Sequence, residues 1–333
     1  MRAISCAAPG QLAVVEVDPP ELQPGWVRVG ISHIGICGTD YHIFEGTHPF
    51  LQYPRIMGHE LSGTVLDANG AGDLQAGDPV VINPYLACGL CPACREGKSN
   101  CCEMLTVIGV HGDGGMAEEI VLPVGNLYPA EGLSLRDAAM VEFLAIGAHA
   151  VRRTDLNPGW RVLVVGGGPI GLGVAFFARI AGADVTILDA AADKLDAARS
   201  FGFGAVALDE RAGEAFKTKM GSGFDAVFDA TGVIAAMNQA VSYCRNGGAL
   251  TLVGVVKGTL AWEDPEIHRR ELTIRASRNA TREDFDHVMQ AIRSGEVPTD
   301  QLATHSTTLD DVPKNLPIWA HDRSGLIKAI ITV

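Results

Sequence analysis

The sequence predicts an α/β protein of two domains, one β-rich and one built on a doubly wound parallel sheet. Three observations predict it. The 333 residues exceed a single typical core. After Asn157-Pro158-Gly159 the pattern changes from short Val/Ile segments with Pro-Gly punctuation to apolar strands alternating with helical stretches. A G-x-G-x-x-G motif, Gly166, Gly168 and Gly171, follows an apolar strand and opens a helix.

Residues 1–150 carry turn signals such as Gln23-Pro24-Gly25 and Gly77-Asp78-Pro79, so the residues that do chemistry there should sit on loops. Residues 151–276 offer the strands RVLVVGGG, DVTILD, AVAL, FDAVFDAT and ALTLVGV, with a further strand around Leu272–Ile274. Continuous apolar strands joined by helical crossovers imply a parallel sheet covered on both faces. In TREDFDHVMQAIRSG, Phe285, Val288, Met289 and Ile292 recur at helical spacing, and SGLIKAIITV reads as a strand. Residues 277–333 are therefore expected to rejoin the first domain.

Composition excludes several classes of function. With 47% hydrophobic and 20% charged residues the chain is ordinary for a soluble protein. The net charge of −13 is spread out and the basic residues are not clustered, so a phosphate backbone has nothing to bind and no nucleic-acid partner is expected. The longest uncharged stretch, VLVVGGGPIGLGVAFFA, comes near the length of a membrane span, but GGGP would break a spanning helix. The start, MRAISCAAPG, has no apolar export segment, which predicts a cytoplasmic protein with reduced thiols.

Against that expectation, Cys88, Cys91, Cys94 and Cys102, at C-x2-C-x2-C-x7-C spacing in a loop rich in Gly, Pro and Asn, read as a structural zinc cage rather than as disulfides. A tetrahedral ion needs four thiolates at roughly 2.3 Å, and two-residue spacers let a turning backbone supply them. Cys101 adjoins Cys102 and either could close the cage, with the longer spacing favouring Cys102. Cys6 and Cys244 lie in apolar surroundings and read as core residues.

The glycine motif, with Pro169 and Ile170 inside it, suits a dinucleotide pyrophosphate: a tight turn, close backbone approach and a helix N-terminus facing the anion. Asp189 ends the next strand, where a carboxylate can accept both hydrogen bonds from an adenosine ribose. Ala190, Ala191 and Ala192 follow it, with no arginine to neutralise a 2′-phosphate, which predicts NAD over NADP. Thr231, Val253 and Val255 fall on loops at the same edge of the sheet. Three segments of the first domain offer ligands for a second metal: Cys37 in GICGTDYH, His59 and Glu60 in IMGHELSG, and Glu142 in MVEFLAIGAHA.

Taken together, GICGTD, GHE followed by SG, the four-cysteine loop, GGGPIG and VEFLAIGAHA resemble the zinc-dependent medium-chain alcohol dehydrogenases along nearly the whole chain, and within them the polyol and sugar-acid branch. The resemblance implies a GroES-like catalytic domain, a Rossmann nucleotide domain, two zinc ions per subunit, NAD, and a homodimer or homotetramer. It places the catalytic zinc on Cys37, His59 and a carboxylate, Glu60 or Glu142, the latter reaching the ion directly or through its water. Phe143 departs from the branch's usual proline. Thr39 resembles the family's proton-relay hydroxyl, passing the substrate proton through the nicotinamide ribose to His42, and Asp40 is expected to hydrogen-bond His59 and fix its tautomer. Arg278 and Asn279 match a segment that approaches the cleft and cofactor in that branch, where Arg278 could hold a substrate carboxylate. His48, Tyr53 and His111 are further pocket candidates. The implied reaction is oxidation of a secondary hydroxyl of a polyol, sugar or sugar acid to a ketone. Two alternatives are a dehydrogenase of another small alcohol, such as threonine, and a non-catalytic NAD-binding protein on this fold.

Overall fold

A computed structural model describes residues 1–48, 51–208 and 223–333. The chain divides into two compact units, Met1–Glu142 with Val288–Val333, and Phe143–His287. The expected seams were 150 and 277.

The first unit begins with ten strands: β1 (Arg2–Ala8), β2 (Gln11–Glu16), β3 (Trp26–Ile36), β4 (Arg55–Ile56), β5 (Glu60–Asp67), β6 (Pro79–Ile82), β7 (Tyr85–Leu86), β8 (Thr106–Val107), β9 (Glu119–Pro123) and β10 (Leu127–Pro129). The second unit supplies β11 (Arg161–Val165), β12 (Asp184–Asp189), β13 (Gly204–Ala207), β14 (Phe224–Asp229), β15 (Cys244–Leu252) and β16 (Thr273–Ala276). The chain then returns to the first unit with β17 (Ala303–Thr308) and β18 (Lys328–Thr332).

In the first unit the main sheet runs β10-β6-β5-β3-β18-β17, with β9 also paired to β3. Burial alternates along the first half of β3 and becomes continuous at Ile34, Gly35 and Ile36, where β5 and β18 flank it. Val29, Ile34, Leu61, Val80 and Ile331 lie in the core beneath. The strand thus ends in a dry interior, and the residue after it, Cys37, is the N-cap of the helix Gly38–Glu45.

All pairings in the second unit's six-stranded sheet are parallel, in the order β13-β12-β11-β14-β15-β16. That is the doubly wound dinucleotide-binding order, with its switch point beside β11. Val162, Leu163, Val164 and Val165 are all buried, as strands covered on both faces require. Among the described residues no helix is long and apolar enough to cross a membrane.

Candidate active site

Strand register assembles the site in the first unit. Gly35 of β3 pairs with Glu60 of β5, so Cys37, two residues past Gly35, lies beside His59 and Glu60. One ligand atom from each of Cys37, His59 and Glu60 lies within 4.8 Å of the others. The pairing also needs a glycine at 35, because a Cβ there would come within 2.1 Å of Glu60 Oε2. His59 and Glu60 are buried.

A lysine that the sequence reading passed over completes the arrangement. Lys328, at the start of β18 and 1% exposed, donates from Nζ to Glu60 Oε1 at 2.8 Å, to Oε2 at 2.7 Å and to the carbonyl of Ile36 at 3.1 Å. Burial alone would lower the Lys328 pKa, but the negative charge of Glu60, Cys37 and Glu142 holds it above the ordinary value. His59 behaves alike: burial opposes its charged form, yet Cys37, Asp40 and Glu142 raise it well above the usual imidazole range. Three carboxyl groups, Asp40, Glu60 and Glu142, are buried here with Lys328 and His59, next to the half-buried Cys37 thiol, a concentration of acidic groups that a metal cation would help to balance. His59 Nδ1 is buried without a hydrogen-bond partner. This sulfur, nitrogen and oxygen donor set fits zinc.

Glu142 does not join that cluster. It stands in the first turn of the helix Val141–Thr154, and its Oε1 accepts a hydrogen bond from the buried Tyr85 hydroxyl. Burial pushes its pKa up to about 7, with His59 opposing and Glu60 adding to the rise. Of the two carboxylates left open by sequence, Glu60 is the one gathered with Cys37 and His59.

The expected bond between Asp40 and His59 is not formed. Asp40 stands three residues past Cys37 at the start of the helix Gly38–Glu45, and its Oδ2 accepts the Cys37 N–H at 2.8 Å. Its Oδ1, like His59 Nδ1, has no partner. The carboxylate therefore caps the helix and fixes the backbone of Cys37. Thr39 Oγ1 lies 3.8 Å from Cys37 Sγ, and His42, exposed on the same helix, pairs with Thr47 Oγ1 at 3.1 Å. Two pocket candidates serve loops instead: Tyr53 donates to the Ile43 carbonyl, and His111 Nδ1 accepts the Val107 N–H at 3.0 Å. For His48, burial first and then the nearby His42, His111 and His59 lower the pKa.

Cys88, Cys91, Cys94 and Cys102 gather their sulfurs within 4.8 Å, and no disulfide forms among the described cysteines. Cys101 is exposed and outside the group. The N–H groups of Leu90 and Cys91, each 3.4 Å from Cys88 Sγ, lower the Cys88 pKa to about 6, the state a metal ligand requires. Burial and Cys91 push Cys94 up to about 12. Four sulfurs with donated N–H groups and no disulfide fit a tetrahedral zinc.

In the second unit, Gly166 at φ 101° turns the chain out of β11, and Gly168 caps the helix Pro169–Ile180, which begins with Pro169 and Ile170. Gly171 packs so closely that a Cβ would sit 1.8 Å from the Gly166 carbonyl oxygen. Asp189 accepts the N–H of Gly167 at 2.6 Å and of Ala191 at 2.8 Å. Lys194 Nζ, 3.9 Å from Asp189 Oδ2, places a cation beside this carboxylate where the sequence shows no arginine. Thr231 Oγ1 donates to Asp229 at 2.9 Å, Val253 is buried, and Val255 is 86% exposed. Arg278 follows β16 on an exposed turn beside Asn279, whose φ is 52°.

Comparisons with known proteins agree with both units. Residues 23–132 match the alcohol dehydrogenase GroES-like domain, and residues 169–294 match the zinc-binding dehydrogenase family. The chain is 39% identical to L-galactonate-5-dehydrogenase of Escherichia coli over 100% of its length and 99% of the relative's. It is 30% identical to sorbitol dehydrogenase of Halalkalibacterium halodurans, covering 92% and 91% of the two chains. The crystal structure of an alcohol dehydrogenase from Escherichia coli complexed with NADH superposes with a TM-score of 0.94 at 28% identity, over 100% and 99% of the two chains. With both domain models matched and the metal donors gathered as the motifs imply, the chain belongs to the zinc-dependent medium-chain alcohol dehydrogenase family, in its polyol and sugar-acid branch.

Proposed function

We propose that the protein oxidises a secondary hydroxyl of a polyol, sugar or sugar acid to a ketone, transferring hydride to NAD+. The observation that carries this reading is the gathering of one ligand atom each from Cys37, His59 and Glu60 within 4.8 Å, with His59 and Glu60 buried. When bound, zinc supplies Lewis acidity that eases ionisation of the substrate hydroxyl, and NAD+ takes up the hydride.

The chain's own residues do the rest. Cys37 and His59 hold the metal, and Glu60, balanced by Lys328, supplies the third donor. Thr39, whose hydroxyl faces the Cys37 sulfur, accepts the substrate proton, and exposed His42, one helical turn on, delivers it to solvent. Gly166, Gly168 and Gly171 admit the pyrophosphate, and Asp189 accepts from the adenosine ribose. The identity of 39% to an L-galactonate dehydrogenase favours a sugar acid, with Arg278 as the partner for its carboxylate.

The protein works in the cytoplasm as a homodimer or homotetramer. Support for assembly is β16, which ends its sheet and leaves one edge without a strand partner among the described residues. Light scattering on the purified protein would measure the assembly.

A panel of polyols, aldoses and sugar acids, assayed for NADH formation with zinc content measured on the same sample, tests the reading. Turnover with sugar acids, abolished by a chelator, is expected. No turnover across the panel at full zinc content would leave a non-catalytic NAD-binding role. Thr39→Ala should lower kcat about a hundredfold, as loss of a proton-transfer group does, and full turnover would remove the relay.

A further inference from the structure

Tyr85 has no task in the chemistry above, yet it is held more firmly than a loop residue needs to be. Its N–H donates to Asn83 Oδ1 at 3.0 Å, its carbonyl accepts from Asn126 Nδ2 at 3.0 Å, and it pairs with Val107 across the β7–β8 ribbon. Asn83 is fixed in turn by the Tyr128 hydroxyl, 2.8 Å from its Nδ2. The residue is 6% exposed, and its phenol is held in the interior with the hydroxyl donating to Glu142. Burial and the adjacent Glu142 raise the Tyr85 pKa well above the usual phenol range, which keeps the hydroxyl a donor.

The ribbon itself has a second function. β7 ends two residues before Cys88 and β8 begins four residues after Cys102, so the pair forms the base of the four-cysteine lobe. Glu142 is buried, lies in the electrostatic field of His59 and Glu60, and is not among the three gathered donors. Without its phenol, this carboxylate would be left to the metal cation, since Lys328, the other cation acting on it, is already engaged by both oxygens of Glu60.

We propose that Tyr85 is a positioning residue: its hydroxyl keeps the Glu142 carboxyl off the metal at Cys37, His59 and Glu60, and so leaves a coordination position open to the substrate, while the base of the cysteine lobe keeps the phenol aimed. This rests on the metal reading of the preceding subsection. Cobalt(II) in the catalytic site, with zinc retained in the lobe, reports ligand number through its visible absorption bands. Tyr85→Phe keeps the ring and should weaken those bands as a further oxygen ligand joins, tighten cobalt binding, and lower kcat about tenfold, a usual size for an outer-layer change at a metal site.

Glu142→Gln alone should keep the wild-type cobalt bands. Adding Tyr85→Phe to Glu142→Gln should change nothing further, because the first residue acts only through the second. Unaltered bands and affinity in Tyr85→Phe would overturn the proposal, as would an equal change in the Glu142→Gln background. If Tyr85→Phe fails to fold, Glu142→Gln decides: loss of a ligand signature there would mean that Glu142 already binds the metal, again overturning the proposal. Failure of the wild type to bind cobalt at this site would instead remove the metal reading itself.

Discussion

Lys328 donates to both carboxylate oxygens of Glu60, at 2.8 and 2.7 Å, and to the backbone carbonyl just before Cys37. One ammonium thus ties together two arms of the metal cluster. Replacing it by an apolar side chain of similar length leaves a buried carboxylate without its counter-charge, a change that costs about 3–5 kcal/mol. Lys328→Met should lose about that much stability in chelator-treated protein by urea denaturation. Zinc should recover more stability in the variant than in the wild type, because the metal then becomes the main cation facing Glu60. Equal recovery in both would show that Glu60 does not face the metal.

The two adjacent cysteines should separate cleanly. Cys102 lies in the four-sulfur group and Cys101 outside it. Cys102→Ser is expected to reduce bound zinc from two equivalents to one per subunit by plasma emission spectrometry, and Cys101→Ser to keep both. Equal metal content in the two variants would contradict the assignment.

Asp189→Ala should raise the KM for NAD+ about ten- to a hundredfold, the usual cost of losing hydrogen bonds to a charged acceptor. Discrimination against NADP+ should fall at the same time, since Lys194 remains to meet a 2′-phosphate. Steady-state kinetics with both cofactors measures this, and an unchanged cofactor ratio would separate Asp189 from ribose recognition.

In the second unit, Asp284 is 1% exposed and bonds His149 at 2.8 Å, Arg152 at 2.7 Å and the N–H of Thr281 at 2.8 Å. Burial would raise its pKa, but these three partners hold it far below the ordinary carboxylate range. A depressed folded-state value stabilises the protein above the unfolded pKa of about 3.9 and is lost as pH falls toward the folded one. Asp284→Asn should therefore cost about 3 kcal/mol near neutrality. That gap should persist down to about pH 5 and narrow below about pH 4. A gap that stays constant into acid would show that the charge contributes nothing.

Much of this was legible because local chemistry wrote it into short segments. The six parallel strands fall on the apolar runs of the sequence, since strands covered on both faces are predominantly apolar. The four-cysteine cage was legible from spacing alone. Asp40 does not bond His59, because a carboxylate three residues into a helix has a nearer claim, the N–H of Cys37, than a histidine just before β5. Lys328 did leave a signal, a single charge inside the apolar run LIKAIITV, but its partner lies on a strand far away in sequence. Gly35 and Tyr85 left none: one owes its identity to a side chain folded across it, the other to a carboxyl 57 residues away.

The bond from Lys328 to Ile36 spans 292 positions of chain. Contacts so distant in sequence form slowly, whereas the parallel sheet of the second unit closes through short strand-helix-strand steps. Newly made protein should accordingly acquire a nucleotide fold before it acquires a competent catalytic metal pocket. In refolding, the ability to retain the catalytic ion should mature last, behind the recovery of dinucleotide binding.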